Sequence, residues 1–375
     1  MNFATISEYL SLVVTDSCNF ACTYCIAHSM LILGSRAQVK LRLMTMAVAK
    51  KAIDFFFAKL KKHGKHQAYI NFGGGEPLLN WKLIKEVLKY CVEVYGADFE
   101  ITFTINTNAS LITREIAEIF KAYVVKPALS LDGLAQANDA VRITKGGNGT
   151  FATIVGAMNT LHALNYSPEG FSVTVTAENF PFIDEKLIDF AAERSYLYVR
   201  IDLDVLRIQN LPLEVVIEKL LTLKRYGEAR DVSVSGFWER PLENFSHPPL
   251  EQHTSFCGGV VGKSFCVNHA GDVFICGYSN RCIGNVENPN AIFGEGTEYC
   301  RIVSARLPGN VVRCHGCPIE GQCAGGCHIT EEFQNSTDDI GALKYNCQLY
   351  REMTQLIIVE NTQKALHRGE FVVHS

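Results

Sequence analysis

The chain has 375 residues, of which 47% are hydrophobic and 20% charged, values typical of a globular protein with a sizeable core. Its 35 Lys and Arg residues against 39 Asp and Glu residues give a net charge of −4. The absence of a basic excess argues against a nucleic-acid partner or an anionic membrane surface. No apolar run approaches the ~20 residues of a membrane span, and the first eight residues carry no secretory signal. We therefore expect a cytoplasmic protein.

From Leu10 to about Tyr226, short β-rich segments alternate with segments of helical periodicity, which is typical of repeated βα units. The pattern predicts six strands, over 11–15, 69–72, 100–107, 128–131, 172–176 and 199–203. It also predicts helices over 46–60, 83–95, 113–120, 151–164, 183–192 and 215–226. Because about six units are too few for a closed eight-unit barrel, we expect an α/β fold with a partial (β/α)6 barrel of the TIM type.

Around Val232–Pro249 this periodicity stops, and glycines and prolines take its place. Beyond it the chain is rich in cysteine and glycine until a helical pattern returns over 347–363. We expect a barrel domain over 1–231, a linker over 232–256 and a small cysteine-rich domain over 257–375. The last of these has few apolar runs, so its order is expected to depend on bound metal.

The 14 cysteines are unevenly placed, with three over 18–25, ten over 257–347 and Cys91 alone. A long chain without a secretory signal argues against disulfides. The two dense groups therefore indicate two metal-binding regions. Cys91 continues the helical spacing of Leu83 and Val87, which predicts a core side chain.

The first group is a C-x3-C-x2-C run formed by Cys18, Cys22 and Cys25, directly after the first predicted strand. Three thiolates suit a four-iron cluster with one iron open to a small molecule, whereas electron-transfer clusters normally have four. A zinc loop with His28 as fourth ligand is the alternative. With the aromatic Tyr24 before its last cysteine, the run resembles the signature of the radical S-adenosylmethionine (SAM) superfamily.

Other motifs agree with this resemblance. The segment 73–77 (GGGEP) follows the second predicted strand and is similar to the family's GGEP motif. The resemblance implies that Glu76 binds the SAM amino group together with backbone carbonyls, and that Arg142 binds the SAM carboxylate. The complete set of implied cofactor contacts is Gly74, Gly75, Glu76, Pro77, Thr107, Asn108, Ser130, Asp132 and Arg142.

The second group contains C-x2-C-x5-C-x3-C over 314–327, followed by Cys347 and preceded by Cys257 and a G-x4-C run at 271–276. This arrangement resembles the SPASM domain, which binds two auxiliary 4Fe–4S clusters; a zinc ribbon is the alternative. The resemblance implies one cluster held by Cys257, Cys276 and Cys327, with Cys266 as fourth ligand and Cys282 competing for that place. It implies a second cluster held by Cys314, Cys317, Cys323 and Cys347.

Such enzymes cleave SAM to a 5′-deoxyadenosyl radical that removes a hydrogen atom from an unactivated carbon. The resemblance therefore implies three 4Fe–4S clusters, SAM, an electron donor such as flavodoxin or ferredoxin, and a ribosomally made peptide that is cross-linked or rearranged. Only 17 residues precede Cys18, so we expect the leader of such a peptide to bind a separate recognition protein or to dock directly on this chain. An iron–sulfur electron carrier or a metal-stabilised binding protein is the alternative of another class.

Within the family, anaerobic sulfatase maturation is the alternative function. Sulfatase maturases carry an Asp directly after the cysteine of the G-x4-C run as proton acceptor, and here that position is Gly277, followed by Tyr278. Glycine has no side chain, and a phenol with an ordinary pKa of about 10 is a poor base at neutral pH. We therefore expect no formylglycine formation. Tyr278 is a candidate catalytic residue, and packing against the cluster loop is its alternative role.

Overall fold

The computed structural model describes residues 8–27, 29, 42–246, 256–260, 264–337 and 340–368. Its strands are β1 (Tyr9–Thr15), β2 (Gln67–Gly74), β3 (Glu100–Thr107), β4 (Lys126–Ser130), β5 (Gly170–Val175), β6 (Tyr198–Leu203), β7 (Ser233–Ser235), β8 (Ser264–Val267), β9 (Asp272–Phe274) and β10 (Gly284–Asn285). They form one sheet in the order β10-β9-β8-β1-β2-β3-β4-β5-β6-β7. Strands β1 to β7 are parallel neighbours in chain order, which is the partial barrel that the sequence predicts.

Helices connect the parallel strands of the barrel, and the last four helices of the described residues follow the final strand. The helices are α1 (Met46–Lys62), α2 (Trp81–Tyr95), α3 (Arg114–Ala122), α4 (Ala135–Val141), α5 (Phe151–Ala163), α6 (Lys186–Glu193), α7 (Leu213–Glu228), α8 (Arg240–Ser246), α9 (Glu298–Ala305), α10 (Glu320–Cys323), α11 (His328–Thr337) and α12 (Gly341–His367). Thr45 and Thr113 begin α1 and α3, and each accepts a hydrogen bond from a backbone N–H of the first turn. Within the described residues, no helix is long and apolar enough to cross a membrane.

Side chains on each strand alternate between two different environments. On β1, Leu10, Leu12 and Val14 are fully buried in the main hydrophobic core, while Ser11 and Val13 are partly accessible. The other barrel strands repeat this alternation, and their partly accessible positions are mostly small and polar. The barrel therefore has an apolar outer face against its helices and a polar inner face where a ligand can bind.

The prediction that residues 232–256 form a linker is wrong for residues 233–246. Residues 233–246 form β7, a short 3-10 turn and α8, and β7 extends the sheet beyond β6. Trp238 of this segment is 1% exposed, and its indole N–H donates to the carbonyl of Ile201 at 2.8 Å. A three-residue strand is too short to show a period, which is why the sequence pattern missed it.

The expectation of little core after residue 257 is also wrong. Strand β8 pairs in parallel with β1, so the C-terminal region continues the barrel sheet. Phe265 of β8 packs against Phe56 of α1, and Phe293 stacks on Phe55 of the same helix. The C-terminal region therefore shares the main hydrophobic core, through buried apolar side chains that are spaced irregularly in sequence.

Candidate functional site

Most of the cysteine side chains fall into three sets, and the thiols within each set interact electrostatically with one another. The sets are Cys18, Cys22 and Cys25; Cys257, Cys266, Cys276 and Cys327; and Cys314, Cys317, Cys323 and Cys347. All cysteines are free thiols. Cys282 lies apart from these sets, because its exposed thiol donates to the carbonyl of Gly284 at 3.1 Å. This geometry favours Cys266 over Cys282 as the fourth member of the second set.

The thiols fit the chemistry of iron–sulfur ligation. Burial raises the pKa of Cys22 and of Cys266 to about 11 and that of Cys323 to about 12. Buried thiols of this kind become thiolates when a metal neutralises their charge. His28, the alternative zinc ligand, lies outside the described residues.

The loop that carries the first set is held by the ends of β3 and α4. The Asn108 amide donates to the sulfur of Cys18 at 3.7 Å and to Oδ1 of Asn19 at 2.9 Å. The backbone N–H of Ala21 donates to the carbonyl of Ile143 at 2.8 Å. Asn108, predicted from sequence as a cofactor contact, therefore also positions the loop of the first set.

Glu76 lies at the centre of the strand ends beneath this loop. Its fully buried carboxylate accepts hydrogen bonds from Thr107 Oγ1 and from the N–H of Asn108, both at 2.8 Å, and from the N–H of Leu78 at 3.0 Å. Burial raises the pKa of Glu76, and these donors partly offset the increase. The carboxylate thus joins the ends of β2 and β3, and its binding of SAM stays a prediction.

The glycines before Glu76 allow the strands to approach closely. A Cβ on Gly74 would lie 2.1 Å from the carbonyl oxygen of Thr15, and one on Gly75 would lie 2.3 Å from that of Ser17. Both distances are far below van der Waals contact. Any larger residue at either position would push the β2 loop away from the loop that carries the first cysteine set.

Arg142 is held by partners within the protein. Its guanidinium contacts Asp132 Oδ2 at 3.2 Å and the hydroxyl of Tyr24, and Tyr24 in turn donates to Asp132. Asp132 also accepts from the N–H of Thr174 at 2.8 Å. Asp132 and Tyr24 thus hold the guanidinium and fix the cluster loop, and its contact with the SAM carboxylate stays a prediction.

One cavity joins the barrel to the C-terminal region. On the barrel side it is lined by Ser11, Val13 and Asp16, by Asn71 and Gly73–Gly75, and by Ala27 and Asn106; on the other side by Asn268, Phe274 and Gly277–Asn280. Of the predicted site residues, the cavity brings Gly74 and Gly75 together with Tyr278. Thr107, Asn108, Asp132 and Arg142 lie behind its wall in the hydrogen-bond networks described above, while Ser130 ends β4 away from the cavity lining.

Tyr278 lies close to both the first and the second cysteine sets. Desolvation and, after it, the thiols of Cys276 and Cys25 raise the pKa of its phenol, so Tyr278 is a poor base at neutral pH, although 40% of the residue is exposed. The preceding Gly277 donates its N–H to the sulfur of Cys266. A Cβ at Gly277 would contact only Val13 at 3.4 Å and Cys266 at 3.8 Å, so the site has room for a side chain that the protein lacks.

Two positioning residues were missed from the sequence. Arg207, just after β6, donates to the carbonyl of Tyr24 at 2.7 Å and is held by Asp204 at 2.7 Å. Glu332 of α11 accepts from Ser279 Oγ at 2.5 Å and from the N–H of Asn280 at 2.9 Å. These contacts fix the cluster loop and the loop that carries Tyr278. The place of Arg207 after a barrel strand was an available signal, whereas the contacts of Glu332 are visible only in three dimensions.

Comparison with known proteins identifies the family. The model of the Radical SAM superfamily matches residues 12–191. An uncharacterized protein of Methanocaldococcus jannaschii is 30% identical over 295 residues, which are 76% of this chain and 91% of that protein. The chain therefore belongs to the radical SAM superfamily. Since this is a superfamily of enzymes, the alternative of an electron carrier or binding protein is set aside.

Named relatives place the chain among the SPASM-type members. The radical SAM cyclopropyl synthase TigE of Paramaledivibacter caminithermalis is 26% identical over 361 residues, 93% of this chain and 73% of that protein. The mycofactocin maturase MftC of Mycobacterium tuberculosis is 27% identical over 339 residues, 86% of this chain and 79% of that protein. The chain is thus similar along most of its length to enzymes named as synthases and maturases.

The fold is also that of a solved structure. Native anSMEcpe with bound AdoMet superposes with a TM-score of 0.73 at 18% identity, covering 95% of this chain and 99% of that chain. The same protein with AdoMet and the Cp18Cys peptide superposes with a TM-score of 0.72. The likeness confirms the partial barrel with its C-terminal extension.

Proposed function

We propose that this protein cleaves SAM reductively at a 4Fe–4S cluster held by Cys18, Cys22 and Cys25, and that the resulting 5′-deoxyadenosyl radical modifies a ribosomally made peptide by cross-linking or another rearrangement. The observation that best supports the proposal is the cavity between the barrel and the C-terminal region. It has the glycine motif after β2 on one side and the loop 277–280, next to the second cysteine set, on the other. A peptide in this cavity would lie between the two sets.

Membership of the superfamily implies a 4Fe–4S cluster and SAM. We further assign two auxiliary clusters, one to Cys257, Cys266, Cys276 and Cys327 and one to Cys314, Cys317, Cys323 and Cys347. Each of these sets contains four thiols and no oxygen or nitrogen ligand, which is the usual donor set of a 4Fe–4S cluster. The exposed position of Cys282 supports its exclusion.

The protein's own residues orient and shield the reactants. Glu76 and Asn108 join the ends of β2 and β3 to the cluster loop, and Arg207 joins the loop to the end of β6. We propose that the backbone of Gly74 and Gly75 contacts SAM, since both residues line the cavity. Fixed geometry of this kind places a substrate carbon against the radical and excludes water from it.

The substrate class is inferred from the relatives and from the cavity wall. MftC is named a maturase, and anSMEcpe was solved with a peptide. The wall offers neutral donors and acceptors from Ser11, Asn71 and Asn106, which suit the amide groups of a peptide backbone. We propose in addition a flavodoxin or ferredoxin as electron donor and a separate protein that recognises the leader of the peptide.

Sulfatase maturation is the second candidate, favoured by the likeness to the cysteine-type anaerobic sulfatase-maturating enzyme of Clostridium novyi, which is 23% identical over 349 residues. The absence of a side chain at Gly277 and the protonated phenol of Tyr278 argue against it, because formylglycine formation requires a base at this point. We therefore retain cross-linking or rearrangement as the proposed reaction.

The test is an anaerobic incubation of reconstituted protein with SAM and dithionite, with 5′-deoxyadenosine as the readout. We expect cleavage by the wild type and none by the variant with Cys18, Cys22 and Cys25 all replaced by Ala. Lack of cleavage by wild-type protein with its full iron content would contradict the proposal. Peptides encoded beside the gene are then assayed for a change of mass that depends on SAM.

A further inference from the structure

Four polar side chains form a continuous row across β8, β1, β2 and β3. Cys266 is in register with Ser11, Ser11 with Asn71, and Asn71 with Thr104. Neighbours in register on a sheet project from the same face, so all four side chains point to the inner face of the barrel. Ser11 and Asn71 also line the cavity. The row therefore connects the proposed substrate cavity with the second cysteine set.

The row is joined by hydrogen bonds that run in one direction. Thr104 Oγ1 donates to Asn71 Oδ1 at 2.9 Å, and Asn71 Nδ2 donates to Ser11 Oγ at 3.0 Å. The Ser11 side chain forms the last hydrogen bond, to the thiol of Cys266. Because the Asn71 amide already donates to the Ser11 oxygen, the proton of Ser11 is directed at the sulfur. Thr104 in turn fixes the orientation of the Asn71 amide.

We propose that Ser11 tunes the reduction potential of the auxiliary cluster bound by Cys266, and that Asn71 and Thr104 hold its hydroxyl in the donating orientation. The proposal rests on the assignment of Cys266 as a cluster ligand made above. Hydrogen bonds to the sulfurs are one of the determinants of a cluster's reduction potential. A donated proton stabilises the extra negative charge of the reduced cluster, and the Ser11 bond therefore raises the potential.

A raised potential has a consequence for the proposed reaction. A substrate radical must lose an electron to become a closed-shell product, and a cluster of higher potential is the better acceptor. The Cys266 set borders the cavity through Gly277, whose N–H also donates to the Cys266 sulfur. Ser11 and Gly277 thus supply two donors to one sulfur on the side that faces the substrate.

The test uses anaerobic potentiometric titration followed by electron paramagnetic resonance, without substrate. The background is the variant with Ala at the three cysteines of the first set, so that only auxiliary clusters give signals. We expect S11A to lower the reduction potential of one cluster by about 59 mV for a one-electron couple. At a given applied potential, this shift reduces the ratio of reduced to oxidised cluster about tenfold. The affected signal should be the one that C257A abolishes.

Two matched variants separate the hydrogen bond from the change of side chain. S11T retains the hydroxyl and should keep the wild-type potential. S172A removes a serine hydroxyl from the same sheet face on β5, away from Cys266, and should also leave both potentials unchanged. An S11A protein with full auxiliary iron and unchanged potentials would overturn the proposal.

If S11A fails to hold iron, T104V takes its place. This variant keeps Ser11 and removes only the group that orients Asn71, so a smaller shift to lower potential is expected; an unchanged potential in T104V would overturn the proposal. If instead the assignment of Cys257 and Cys266 to one cluster is wrong, C257A abolishes no signal in the otherwise intact protein.

Discussion

The ammonium group of Lys59 lies 3.5 Å from the centre of the Phe293 ring, at the contact between α1 and the C-terminal region. Within the described residues, this nitrogen is buried and has no hydrogen-bond partner. Loss of hydration lowers the pKa of Lys59 to about 8. The interaction with the ring compensates only part of the cost of burying the charge.

We expect the stability of the protein to rise between about pH 8 and pH 10 through Lys59. In this range the unfolded chain binds more protons than the folded one, so the free energy of unfolding increases with pH. Below pH 8, Lys59 is charged in both the folded and the unfolded protein, so the full cost of burying its charge lowers the free energy of unfolding. K59M should raise the melting temperature at pH 7 and flatten the profile. The exposed Lys62 of the same helix gives the control K62M, which should follow the wild type; an unchanged K59M profile would contradict the prediction.

The iron content should follow the three cysteine sets. Three cubane clusters contain about 12 irons per chain, and C266A should lose about a third of them. C282A is the matched control and should retain all iron, since its thiol faces Gly284. The measurement is iron analysis of protein reconstituted without oxygen. Loss of iron in C282A with none in C266A would reverse the assignment.

The approach of Gly75 to Ser17 should not tolerate a methyl group. G75A should lower the melting temperature and the iron content, because its Cβ would lie 2.3 Å from a carbonyl oxygen and would displace the cluster loop. G156A is the control in the middle of α5, where a Cβ would meet no atom within 4 Å. There the change should stabilise the protein by about 0.5–1 kcal/mol. A G75A protein with wild-type melting temperature and iron content would refute the steric argument.

R142M should destabilise the protein even without SAM. Arg142 and Asp132 have side chains 9% and 1% exposed, and removal of one partner of a buried pair costs about 3–5 kcal/mol. R114M, which removes the exposed pair with Glu118, should cost about 0.3–0.5 kcal/mol. The measurement is thermal unfolding of the SAM-free protein. An R142M protein with the melting temperature of the wild type would contradict this prediction.

Peptides with a sulfatase motif should not be converted to formylglycine. The reaction needs a positioned base, and its products would differ by a loss of about 2 Da from a Ser peptide or about 18 Da from a Cys peptide. Mass spectrometry after incubation with SAM and reductant measures either loss. Detection of one of them would disprove the argument from Gly277. The variant G277D tests whether this position tolerates a carboxylate. Because a Cβ has room there, we expect G277D to retain full iron.

The parts of the site that are local in sequence could be predicted, and those that depend on long-range pairing could not. The spacing of Cys18, Cys22 and Cys25 defines a cluster loop within eight residues, and β3 was predicted with its observed bounds because its alternation is regular. The choice between Cys266 and Cys282 depends on the register of β8 against β1, which no local pattern contains.

Arg142 shows a second limit. The sequence places Arg142 downstream of the fourth strand, but it does not show that the guanidinium pairs with Asp132 and contacts Tyr24. The core of the C-terminal region was missed for a related reason. Its core side chains include Phe265 on the short strand β8, the half-buried Phe293 in a loop and Tyr299 on the short helix α9. These rings come from three different elements, and they meet one another and α1 only after folding.

The parallel pairing of β8 with β1 makes the two halves of the chain inseparable by truncation. A fragment ending before Ser264 would leave the N–H and C=O groups of β1 unpaired along one edge of the sheet. Exposed edges of this kind recruit strands from other molecules, so such a fragment should aggregate. Functional dissection of this protein therefore calls for point substitutions at single cysteines in the full-length chain.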